Sequence, residues 1–428
     1  MIETSKIRFA GDVSIDNVTV ISSTGLKQQI TNQILAIEIY EDLFSPFITG
    51  VISVKDSFDF VNLFPFIGEE YLNVRIYTPS FEKKDYIEQQ FYIFKITDRI
   101  ITGDRTVVYQ IHFISKEAVA DVNKHISKAY SGKVSDIAKE IITSQQYGLE
   151  TKKDVIIEKT SNTTKFISNF WNPIKSLMYC TAAGITENGA SNYMFFENRK
   201  GLNFVSLDSL YTQKHYMEFV YDNYARDIAK DGRSIINLNE DYKRIIDIDI
   251  PVVQDYIARA QSGMFASKLI THDILTKKYR VKNYDIDKDY SKTKHLNENG
   301  VISDKNIRHP NSTVMTMAKH YGVFNKFTDV SNSSSIQRRN SQMMQAGTTK
   351  INIVVLGRTD YTVGMKVKVT LNKIEPITAA EFNEDITDKI LSGYYIVSAI
   401  NHYINRDKHE CNMELIKDSY MMNLSEGK

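Results

Sequence analysis

Nine histidines and two cysteines are the residues best suited to metal or nucleophile chemistry, yet their spacing assembles neither. Metal sites and activated thiols announce themselves by closely spaced ligands or a paired base. Cys180 and Cys411 stand far apart without a partner motif, and His402 and His409 straddle a turn. His272, His295, His309 and His320 are scattered over a polar stretch. HExxH, paired CxxC, Walker A, GxGxxG and GxSxG patterns are absent. Glu69-Glu70 falls at a turn, and Glu38, Glu41 and Asp42 flank a strand end, where solvated carboxylates are the rule. No catalytic, cofactor-binding or metal residue is therefore expected. Arg338-Arg339 with Lys350 and Arg358 lacks the density and aromatic interleaving of a nucleic-acid face. It is expected to be a solvated loop or a salt-bridged subunit contact.

The elements around these residues are those of a large β-rich protein. A chain of 428 residues holds about three domains at roughly 150 residues each. A formal net charge of +1 gives no overall drive toward nucleic acid or anionic membrane. The sparse cysteines argue for a reducing compartment, and the start Met1-Ile2-Glu3-Thr4-Ser5-Lys6 has no signal-peptide pattern. No apolar run approaches the ~18 residues of a membrane helix. Stable membrane insertion is not expected, and the chain reads as soluble and intracellular when made. Tyrosines (25) and phenylalanines (21) far outnumber prolines (7), which favours strands and Tyr-rich interfaces over disorder.

Residues 1–118 alternate as short strands, with runs at Ile30–Tyr40, Ile48–Val54, Tyr71–Tyr77 and a hairpin over 91–114, predicting a first tube-like antiparallel β-barrel. Residues 119–205 read as an α+β insert. Val134, Ile137, Ala138, Ile141 and Ile142 mark a helix near 133–145, Pro173 opens another over 173–183 that Gly184 stops, and a hairpin spans 193–205. Residues 206–262 and 346–420 form a second barrel, interrupted by a polar excursion over 263–345. Within it, 281–312 reads as a long loop and Val330–Ser335 as a flexible stretch. Deleting 281–312 is expected to leave the barrels folded.

The two hairpins echo one another. Phe91-Tyr92-Ile93-Phe94-Lys95-Ile96 and Gly393-Tyr394-Tyr395-Ile396-Val397 each open a pair of strand-like runs, with Tyr92 and Tyr395 lying 303 positions apart. Such a duplication suits a building block better than a single active site. Several further segments stand in a telling order: Glu38-Ile39-Tyr40-Glu41-Asp42-Leu43, Gly50, Asp56-Ser57 and Leu63-Phe64-Pro65-Phe66-Ile67-Gly68-Glu69-Glu70. Ile111–Glu117, Lys165–Gly184, Phe195-Phe196 with Gly201–Phe204, Gly364–Val367 and Leu391–Val397 follow. Together they resemble the central hub protein of contractile phage tail baseplates, a family that includes late-control-type tail proteins and type VI spike hubs.

The resemblance implies two tandem tube-like barrels per chain and a homotrimer. Six barrels would then face the sixfold tail tube, with a trimeric spike on the other side. Implied partners are a separate spike protein, tail tube or tube-initiator proteins, surrounding baseplate proteins and double-stranded DNA in passage, in a virion tail assembled in the host cytoplasm. The chain shows no β-helix repeats or lysozyme-like domain, so spike and wall-cutting functions are expected on other polypeptides. The alternatives are a hub of a contractile injection or type VI-like apparatus, and a tail-associated cell-wall or capsule hydrolase. A conduit lumen is expected to be neutral to acidic, since basic walls would hold phosphates. The excursion 263–345 is expected to grip neighbouring proteins.

Overall fold

A computed structural model describes residues 10–422 apart from 59, 61–63, 65, 82–84, 103–105, 222–237, 274–275, 301–308, 320–332, 334 and 374–386. His320 and most of Val330–Ser335 lie outside the described residues. Seven strands come first: β1 (Ser14–Ile21), β2 (Lys27–Gln29), β3 (Ile34–Asp42), β4 (Thr49–Asp56), β5 (Tyr71–Tyr77), β6 (Tyr86–Ile101) and β7 (Val107–Ser115). Period-2 alternation builds them. In β5, Leu72, Val74 and Ile76 are buried while Asn73 and Arg75 face outward. Their core gathers Ile37, Ile52, Tyr109 and Ile111 around Phe91 and Phe113, whose ring centroids are 4.6 Å apart. Gly50 is required there, because a Cβ would sit 2.2 Å from Phe113 Cζ.

The insert follows, with α1 (Lys116–Asn123), β8 (Ile126–Lys133), α2 (Val134–Thr143), β9 (Val155–Ile157), β10 (Thr163–Trp171), α3 (Pro173–Ala183), β11 (Tyr193–Asn198), β12 (Gly201–Ser206) and α4 (Leu207–Thr212). Ile137, Ala138, Ile141 and Ile142 of α2 share a core with Leu177 and Cys180 of α3 and Phe204 of β12. Gly184 ends α3 in extended rather than left-handed backbone. Glycine is needed there for packing, since a Cβ would lie 2.8 Å from the Tyr193 ring.

The remainder comprises β13 (Met217–Tyr221), α5 (Leu238–Lys243), β14 (Ile245–Val252), α6 (Tyr256–Gln261), β15 (Ala266–Asp273), β16 (Lys278–Asp285), α7 (Ile286–Asp289), β17 (Val314–Lys319), α8 (Ile336–Ala346), β18 (Thr349–Leu356), β19 (Lys366–Leu371), β20 (Gly393–Asn405) and β21 (His409–Lys417). The fold is mainly β with an α+β insert, and its largest sheet runs β14-β18-β21-β20-β3-β4-β7-β6-β5-β1-β2, with β19 and β13 joined beside β20. One departure from the antiparallel expectation is β13, which runs parallel to β19. Among the described residues no helix is long and apolar enough to cross a membrane.

The excursion is more ordered than its sequence suggested. β16 pairs antiparallel and β17 parallel with β15, and α7 follows β16, so the loop expected over 281–312 is a strand and a short helix as far as residue 289. β16 reads Lys-Tyr-Arg-Val-Lys-Asn-Tyr-Asp and is exposed along most of its length, so no apolar alternation marked it. α8 carries no apolar stripe either. It docks through buried polar side chains, with Gln337 donating to the Ser267 carbonyl (3.0 Å) and Ser341 to that of Met264 (2.6 Å). Leu296 joins the core beneath β18–β21, and Asn297 bonds to Tyr394 and Ser419. Deleting 281–312 would therefore open the second unit rather than spare it.

Candidate functional site

The strand order contains the duplication. β3, β4, β5, β6 and β7 lie in the order β3-β4-β7-β6-β5, and β14, β18, β19, β20 and β21 in the order β14-β18-β21-β20-β19. The same chain order thus gives the same spatial order twice. A bulge interrupts the first hairpin between Ile93 and Lys95 and the second between Val397 and Ala399. Matching the bulges aligns Tyr92 with Ile396, one position from the Tyr395 match read in the sequence. Tyr92 pairs with Tyr71 of β5 and Ile396 with Lys366 of β19, consistent with that alignment.

The long fourth strand of the second unit serves two neighbours. The start of β20, Gly393–Ile396, pairs with β19, and past the bulge Ala399–Asn405 pairs antiparallel with β3 of the first unit. This seam makes the two units one sheet. In the first unit the start of β6 pairs with β5 up to Tyr92, but beyond it the corresponding edge carries no strand among the described residues. Phe94, Ile100 and Ile101 are exposed there. The counterpart of β3 is β14, which pairs with β18 on one side and carries no strand on the other among the described residues. Ile246 and Ile250 are exposed on it. Open apolar edges of this kind invite pairing with another chain.

Polar ties join the two units and the insert. Glu41, at the end of β3, is buried and accepts from Thr362 Oγ1 and, at 3.1 Å, from the Val363 N–H. Burial pushes its carboxyl up to about 7. Arg199 donates to Asp85 (2.7 Å) and the Thr359 carbonyl (2.6 Å), and the Thr78 and Thr359 hydroxyls meet at 3.2 Å. Glu197 receives the Ile48 N–H at 3.1 Å and pairs with Lys153, which also reaches Glu117 at 2.8 Å.

The polar residues weighed in the sequence take structural places. Glu70 accepts from the Ile67 and Gly68 N–H groups, Asp42 from that of Phe44, and Glu38 from Asn401. Arg338-Arg339 lies on α8 rather than in a solvated loop. Arg338 pairs with Asp289, and Arg339 donates to the carbonyls of Thr181, Ser191 and Tyr193, fastening the insert to α8. Lys350 pairs with Glu414 and Arg358 with Asp360. His295 stacks on Tyr290 and bonds Asp418 at 2.6 Å, while His272 and His309 join no cluster among the described residues. Sequence spacing missed one convergence, because His402, His409 and Cys411 meet in the core with one ligand atom each. A hairpin places them together: His402 is the cross-strand partner of Cys411, and His409 sits two residues from it on the same face.

No family model matches the sequence. The chain is 22% identical to the probable baseplate hub protein gp334 of Vibrio phage KVP40 over 413 residues, 91% of each protein. The resemblance to baseplate hub proteins holds. Two solved structures share the fold. A tail protein from Neisseria meningitidis MC58 superposes with a TM-score of 0.53 at 12% identity, over 94% of this chain and 96% of that one. The 43 kDa tail protein of prophage MuSo2 from Shewanella oneidensis gives 0.53 at 9% identity, over 94% and 98%.

Proposed function

We propose that this chain is a structural hub of a phage tail baseplate, a trimeric adaptor without catalysis that joins the sixfold tail tube to a separate trimeric spike. The observation that carries the reading is the β3–β20 seam with its two unused counterparts, the far part of β6 and the outer edge of β14. Repeating that seam between copies lays each β6 on the β14 of the next chain. In the seam Tyr40 faces Asn401, and the same register sets Thr97 across from Val252. Three chains would then close a ring of six related units. The units correspond to 1–118 and to 206–262 with 346–420, flanked by the insert 119–205 and the excursion 263–345.

The ring would surround a conduit for double-stranded DNA in the virion tail, after assembly in the host cytoplasm. The sheet face turned from the core supports passage rather than capture of DNA. On it β3, β14 and β21 present Glu38, Asp42, Asp247, Asp249, Glu410 and Glu414, against Lys55 of β4, Lys95 of β6 and Lys350 of β18, the last paired to Glu414 at 3.4 Å. Such a wall makes few phosphate contacts. The docked excursion is positioned to meet the surrounding baseplate proteins.

Mass photometry tests the assembly. The wild-type chain, alone or with its spike partner, should give threefold species that Ile100→Asp with Ile250→Asp abolishes. Monomers under both conditions would refute the ring, and degradation of peptidoglycan or capsule that a carboxylate mutation removes would refute the non-catalytic role.

A further inference from the structure

The three side chains that meet inside the β20–β21 hairpin are fully buried: His402, His409 and Cys411 are each 0% exposed. One atom of each points at a common centre. His402 Nδ1 lies 3.0 Å from His409 Nε2 and 3.3 Å from Cys411 Sγ, and His409 Nε2 lies 3.5 Å from that sulfur. A tetrahedral Zn2+ with bonds of about 2.05 Å to nitrogen and 2.3 Å to sulfur has edges of about 3.3 Å between nitrogens and about 3.5 Å from nitrogen to sulfur. The triangle is that of three ligands drawn slightly together.

Protons satisfy this triangle poorly. A ring nitrogen either donates or accepts, so two protons can fill two of its edges while the third, whichever it is, closes without a bond. A cation at the centre is the one occupant that all three lone pairs can face. The Arg358 backbone N–H is directed at the sulfur. The far nitrogens, His402 Nε2 and His409 Nδ1, make no hydrogen bond of good geometry, His402 Nε2 facing only the Tyr361 backbone. The His409 ring is seated against Gly357, where a Cβ would come within 2.2 Å of it.

We infer that His402 Nδ1, His409 Nε2 and Cys411 Sγ form a buried site for one borderline-to-soft d10 cation, Zn2+ or Cu(I). Two imidazoles and one thiolate are the donors such ions select over Mg2+ or Ca2+. Zn2+ on one thiolate leaves a residual positive charge. Cu(I) leaves none. The role is a staple: His402 lies opposite Ile39 in the seam, and the His409 backbone bonds Gly11 and Gly357. Full burial means the ion enters before the hairpin closes, so binding is coupled to folding. The site does not depend on the tail-hub role.

The full-length chain, expressed in medium supplied with Zn2+ or Cu(I) and purified without chelator, should carry about one equivalent of one of these metals by mass spectrometry. The separate supplements distinguish the two ions. Cys411→Ser and His402→Gln should lower the content below about a tenth of an equivalent. Should either variant fail to fold, wild-type chain unfolded with chelator and refolded with Co2+ serves instead, and should gain a thiolate-to-metal charge-transfer band. Folded wild-type chain without Zn2+ or Cu, and without that band after refolding with Co2+, would overturn the site.

Discussion

Glu41 should make stability depend on pH in a direction opposite to most carboxylates. Its side chain is buried where the end of β3 meets the Thr362–Val363 turn, and burial lifts it from 4.5 to about 7 against the pull of two hydrogen bonds and Arg199. At about 1.4 kcal/mol per pH unit the ionised form costs the native state roughly 3 kcal/mol. Between pH 4.5 and 7 the folded chain binds a proton that the unfolded chain has released, so stability falls as pH rises through that window. Below 4.5 both states are protonated and the penalty is gone. Glu41→Gln keeps an acceptor for Thr362 and Val363 without the charge. It should therefore raise stability by about 2–3 kcal/mol at pH 8, and by little or nothing at pH 4.5. Thermal melts followed by near-ultraviolet circular dichroism, wild type against variant across this range, give the difference directly. A constant difference between the two proteins at every pH would refute the buried, ionised carboxylate.

Three further outcomes are expected. Lys153→Met leaves Glu117 and Glu197 buried without their cation, although the lysine is held charged by both against the cost of its burial. It should lose about 3 kcal/mol in denaturant unfolding, with Glu197→Gln recovering part. Asn297→Ala strands the Tyr394 N–H and the Tyr394 and Ser419 carbonyls and should speed proteolysis within the excursion, at about 2–3 kcal/mol. Burial draws the Lys417 ammonium down to about 7 beneath the rings of Tyr395 and Tyr420. The unfolded chain then binds the extra proton between pH 7 and 10.5, so wild-type melting temperature should gain from rising pH there, and Lys417→Met should remove that gain.

Elements whose apolar residues alternate or recur on one face were legible from the sequence. β5 announced itself through Leu72, Val74 and Ile76, and α2 through Ile137, Ala138 and Ile141. β16 and α8 were not, because one is exposed along most of its length and the other docks through glutamine and serine. The metal-ligand triad was hidden for a different reason. Its spacing becomes meaningful only once the hairpin register sets His402 opposite Cys411.

The seam between the units lies furthest from sequence reach. Tyr40 and Asn401 meet across it although 361 positions separate them, and the one Asn401–Glu38 hydrogen bond there is a pairing of types too common to mark them as partners. Strand edges join through N–H and C=O groups that nearly every residue carries, so the pairing leaves little imprint on residue type. What the sequence does record is the bulge-bearing hairpin that lets one strand serve two neighbours. That hairpin occurs twice, and among the described residues only its second copy finds its partner within the chain. The first copy keeps the same long strand and the same bulge with no strand beside it among the described residues, which is why its partner is sought on a second copy of the chain.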